Sequence, residues 1–107
     1  MIKFDEWKKI ELKAAKILSA EDIPGKDKLY KVQIDLGSEK RTLVAGLKQH
    51  YSKEELQGKT IIVVANLEPT RIAGIESNGM LLAVRDAKGK YRVLSAEGNI
   101  APGTPIE

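Results

Sequence analysis

A chain of 107 residues, 42% apolar and 31% charged, has the makings of one globular domain and not of a disordered tract. With no cysteine it can form no disulfide, no thiolate zinc site and no cysteine nucleophile. Eighteen basic residues against fifteen acidic ones give a net charge of +3, which leans toward a polyanionic partner although most such mixed surfaces are simply solvated.

The apolar runs fall far short of the roughly 18 residues a membrane span requires, and no signal-peptide core follows Met1, so a cytoplasmic protein without membrane contact is expected. Near the start, Phe4, Trp7 and Ile10 recur every third residue. Acidic residues lead and lysines follow, which predicts a short helix with one apolar face. Seven residues make a marginal helix in isolation, so that face must dock, either on its own domain or across a subunit boundary.

From Glu11 to Ile23 the alternation is imperfect, and a bulge or sharp bend is expected near Ala14-Ala15. Pro24-Gly25 opens a charged turn that extends toward Tyr30. Tyr30, Val32, Ile34 and Leu36 then alternate with Lys31, Gln33 and Asp35, a half-buried strand. Gly37-Ser38-Glu39 joins it to a second strand over Lys40 to Gly46 as an antiparallel hairpin. Ser52 with Glu55 is a capping box, predicting a short helix that stops near Gly58. The one histidine, His50, has no cysteine or paired acid in support and reads as structural or surface.

Thr60 to Ala65 is a β-branched apolar run suited to a strand buried on both faces. Asn66 and Glu68-Pro69 break it, Ile72 and Ile75 flank Ala73-Gly74, and Ser77-Asn78-Gly79 turns the chain into Met80 to Val84, a second apolar strand. A polar turn at Arg85 to Lys90, a strand over Tyr91 to Leu94 and a loop-like tail from Gly98 complete the chain. The tail is free to pair with a sheet edge or with a second copy. A long bent first strand, a hairpin, an intervening helix and later strands point to an all-β fold of OB type.

The order VVANLEP, then Arg71, then GIESNGMLLA resembles the tRNA-binding domain found at the C-terminus of methionyl-tRNA synthetases. That domain also occurs as a stand-alone structure-specific tRNA-binding protein, in phenylalanyl-tRNA synthetase β subunits, and in the CsaA-type export chaperone. Pro24 to Leu29 is similar to the family's H-P-x-A-D-K-L segment, with Ile23 in the histidine's place. Glu11 to Ile17 stands where the family shows D-L-R-V-G-x-I, and Lys13 there replaces a planar guanidinium by an ammonium.

The resemblance covers nearly the whole chain and implies one domain over 1–107, a five-stranded OB-fold β-barrel with short helices and a C-terminal extension. It implies a homodimer joined through the N-terminal segment and the extension. The implied function is structure-specific tRNA binding that raises the tRNA affinity of a methionyl-tRNA synthetase catalytic chain. Carried over position by position, Lys28 and Arg71 meet phosphates, Asn66 and Ser77 hydrogen-bond backbone or ribose groups, and Met80 reaches a base or sugar face. Phosphate-binding glycine loops, a nucleophile elbow and clustered metal ligands are absent from the sequence, so no catalysis, cofactor or metal is expected. Two rivals stand beside this reading: a CsaA-like dimeric chaperone for unfolded polypeptide, and a protein–protein adaptor.

Overall fold

A computed structural model describes residues 1–107. Two one-turn helices, α1 (Phe4–Trp7) and α2 (Lys53–Leu56), accompany nine strands: β1 (Leu12–Ile23), β2 (Lys26–Asp35), β3 (Lys40–Ala45), β4 (Thr60–Val64), β5 (Thr70–Ile72), β6 (Ile75–Ser77), β7 (Met80–Leu81), β8 (Ala83–Arg85) and β9 (Tyr91–Val93). Five of them form an antiparallel sheet in the order β3-β2-β1-β4-β7. β5 pairs with β6, and β8 with β9, as separate ribbons.

The alternation in β2 puts Tyr30, Val32, Ile34 and Leu36 inside, and the hairpin register runs from Tyr30 opposite Ala45 to Asp35 opposite Lys40. Ile17, Ile61, Val63 and Leu43 meet them to form one core. Each such side chain contributes about 1.5–3 kcal/mol when fully buried. Leu56 of α2 is fully buried in the same core. The predicted capping box is present: Glu55 N–H donates to Ser52 Oγ, and Ser52 N–H donates to Glu55 Oε1.

β1 departs from expectation in an informative way. The register break lies between Ile17 and Ser19, with another at Asp22 and Ile23, and not at Ala14-Ala15. Ala14 and Ala15 are both buried in regular pairing with Ile62 and Ile61. The backbone there is paired on both sides, by β4 on one and by the chain's tail on the other. Ala14 N–H donates to Thr104 O at 2.8 Å, Gly103 N–H to Ala14 O at 2.7 Å, and Ile106 N–H to Leu12 O at 2.9 Å. The tail thus adds to the edge of β1, one of the two outcomes expected for it.

Three boundaries also shift. The turn after β1 is only Pro24-Gly25, and Lys26 to Leu29 already belong to β2. Met80 to Val84 is not one strand: Leu82 N–H turns to Ile62 O between β7 and β8, because the chain leaves the sheet there to pair with β9. The first helix ends at Trp7. His50 is structural: its Nδ1 accepts from Tyr91 N–H at 3.2 Å, and the two rings meet edge to face at 5.0 Å.

Candidate nucleic-acid interface

The backbone ladder leaves the sheet open between β3 and β7. Two bonds span the seam. Asn78 N–H donates to Thr42 O at 2.9 Å, and Val44 N–H donates to the Ser77 hydroxyl at 3.0 Å. These contacts run antiparallel, so the β5–β6 hairpin passes along β3 toward Gly46. Its tip demands an unusual backbone: Ala73 (φ 53°) and Gly74 (φ 78°) both take the left-handed conformation, as a tight two-residue hairpin requires.

A groove of about 280 Å³ follows the seam. Leu43, Val44, Leu67, Ile72, Met80 and Leu81 give it an apolar floor, and Glu68, Thr70 and Ser77 add polar groups. Met80 and Leu67 stand half exposed at its rim. Arg71 is exposed and spends one bond on Gly74 O at 2.7 Å, which leaves most of its five donors free. Lys28 is exposed at the other side of the Gly46 corner, where Lys48 N–H donates to its carbonyl at 3.3 Å. Neither Lys28 nor Arg71 makes an ion pair.

The structure therefore brings Met80 and Ser77 to one groove, with Lys28 beside its Gly46 end, whereas Arg71 stands on β5 between the groove residues Thr70 and Ile72 and does not line it. Ser77 is buried to 3% exposure, with its hydroxyl engaged across the seam. Asn66 lies just past β4 and does not line the groove. Its Oδ1 accepts from Glu11 N–H at 2.9 Å and its Nδ2 donates to Lys9 O at 2.6 Å, tying the start of β1 to the end of β4. Sequence reasoning missed Leu67 and Ile72 as groove walls; each sits beside a turn residue, where periodicity carries no signal.

Elsewhere, Asp22 receives Lys53 Nζ at 2.8 Å and Lys48 Nζ at 3.0 Å. These bonds, Lys53 first, hold its carboxyl below the ordinary aspartate value, and Asp22 in turn raises Lys53. At the N-terminus, Phe4, Trp7 and Ile10 share a cleft with Ile106 and stay partly exposed, so their own domain covers the apolar face of α1 only in part. No His, Cys, Asp or Glu cluster of metal-binding size is present, and no helix is long and apolar enough to cross a membrane.

A mostly β module of OB type, with a loop-walled groove at the sheet seam, belongs to the class of small binding domains built on curled sheets. Residues 12–105 match the family model described as "Putative tRNA binding domain", and the chain belongs to that family. It is 49% identical over 105 residues to a methionine–tRNA ligase of Thermotoga maritima, covering 98% of this chain and 16% of that enzyme. The chain thus spans about a sixth of the length of the curated relatives it matches. A methionyl-tRNA synthetase-related protein from Pyrococcus horikoshii superposes with a TM-score of 0.92 at 34% identity, covering 100% of this chain and 98% of that one. The CsaA chaperone of Picrophilus torridus superposes at 0.90 with 29% identity, each chain covered in full.

Proposed function

We propose that this domain binds tRNA by its shape and backbone charge, has no active site of its own, and raises the tRNA affinity of a methionyl-tRNA synthetase in the cytoplasm. The observation that carries the reading is the pairing of family membership with two exposed cations outside any ion pair, Lys28 by the Gly46 end of the groove and Arg71 on the β5–β6 hairpin that walls it. Both contact phosphates. Met80 packs on a sugar or base face at the groove rim. Ser77 and Asn66 act one step back, because their polar atoms already hold the seam and the β1–β4 join. With one Trp, one Phe and three Tyr, few aromatics are free to stack bases, which favours recognition of a folded backbone over reading of sequence.

The domain works as a homodimer. Phe4 is 70% exposed, and with Trp7, Ile10 and Ile106 it forms an apolar cleft that a second copy covers. The test of the assisting role is aminoacylation by a methionyl-tRNA synthetase catalytic chain at sub-saturating tRNA, with this domain added or fused. A lower KM for tRNA at constant kcat supports it; an unchanged KM contradicts it.

One observation favours a second reading. The groove floor is largely apolar, as a holder of unfolded polypeptide would need, and CsaA chaperones share the fold. The 49% identity to a methionine–tRNA ligase, against 29% to the chaperone, supports tRNA binding as the first reading.

A further inference from the structure

Asp22, Lys48 and Lys53 come from the end of β1, the β3–α2 connection and the first residue of α2. One carboxylate bridges the two ammonium groups, one on each oxygen. Exposed ion pairs add about 0–1 kcal/mol to stability, so fold stability is a weak reason for this arrangement. Its electrostatic consequence is larger. A single carboxylate neutralises one of the two ammonium groups and leaves the trio cationic.

The trio also continues the Lys28 corner, through the bond from Lys48 N–H to Lys28 O. Beside it lies an open depression of about 460 Å³ at the Pro24-Gly25 turn, lined by Asp22, Lys26, Asp27 and Lys48. Lys26, Lys28, Lys48 and Lys53 outnumber the nearby acids Asp22, Asp27 and Glu54. The Glu55 carboxylate is already taken by Ser52 N–H. Free lysines lose much side-chain entropy when they are fixed on a ligand, and tethering by Asp22 removes part of that cost in advance.

We propose that Lys48 and Lys53, positioned by Asp22, form a second phosphate-binding point that carries the RNA backbone from Lys28 across the Pro24-Gly25 turn. The inference rests on the RNA-binding reading and lengthens its footprint. Each phosphate neutralised on a duplex releases counterions and adds about 0.9 to the slope of log affinity against log salt.

The experiment measures the Kd of the full chain for bulk tRNA from about 50 to 200 mM salt, the range over which such contacts separate. Lys48→Ala with Lys53→Ala is compared with Lys40→Ala with Lys88→Ala, which removes the same charge elsewhere. The first pair is expected to lower the slope by about 1 to 2 and weaken binding roughly tenfold, with the control pair near wild type. A slope and affinity unchanged in the first pair, or an equal loss in the control pair, overturns the proposal. If Lys28→Ala and Arg71→Ala still weaken binding in that case, the RNA reading stands without it. Absence of salt-dependent tRNA binding in the wild type overturns both. Equal thermal midpoints for all variants confirm that folding is not the cause.

Discussion

The Ser77 hydroxyl accepts a hydrogen bond from Val44 N–H across the open seam of the sheet, and Ser77 is the one buried polar residue of the domain. Replacing it with Ala leaves a partly buried amide without its partner. The expected loss is about 1–3 kcal/mol, measured by chemical denaturation. Because the bond spaces β6 from β3, tRNA affinity is expected to fall in Ser77→Ala although the hydroxyl is already engaged by Val44 N–H. Unchanged stability would show that the seam is held by Asn78 alone.

The tail is locked by two glycines packed against each other's neighbours. A Cβ on Gly103 would stand 2.1 Å from Leu36 O, and one on Gly37 2.6 Å from Pro102 O, each at a positive φ. Gly103→Ala is therefore expected to displace residues 101–106 from β1 at a cost of about 2–3 kcal/mol. Amide hydrogen exchange would register it as lost protection at Ala14.

Acid should destabilise the fold through a few named carboxylates. Asp22 is lowered by Lys53 and Lys48, Glu55 by Ser52 N–H, and Asp86 by Lys90 N–H. A lowered folded value means stability that is present above the ordinary carboxylate range and is lost as pH falls through the folded value. Lys53, raised by Asp22, contributes below the ordinary lysine value and loses that contribution as pH rises through its folded value. Asp22→Asn should give a shallower acid limb and a shallower alkaline limb in thermal midpoint against pH. Limbs identical to wild type would remove Asp22 from the account.

The cleft of Phe4, Trp7, Ile10 and Ile106 predicts a self-association that one charge can break. Light scattering is expected to give two chains per particle for the wild type and one for Trp7→Glu. A monomeric wild type would contradict the dimer.

Where one face of an element alone is buried, its pattern was readable in advance. The β2–β3 hairpin and the Ser52–Glu55 box follow from local spacing. Ala14-Ala15 did not bear the expected bulge because residues some ninety positions later pair with the free edge of β1 there, a relation that no local period encodes. The break at Leu82 is likewise set by distant partners, Ile62 and Leu94. At the candidate site, Lys28, Arg71 and Met80 are proposed through a family motif and not through local spacing. The Asp22 bridge was not legible, since Lys48 and Lys53 are brought to it only by the turn of β3 into α2.

The most direct measurement is equilibrium binding to bulk tRNA, an unstructured RNA of equal length and an unfolded polypeptide, each across a salt series. Preference for tRNA is expected, with log affinity falling linearly with log salt, and Lys28→Ala and Arg71→Ala each weakening it by about five- to tenfold. Equal affinity for the two RNAs, or salt-insensitive binding of the polypeptide alone, would contradict the account and put the chaperone reading in its place.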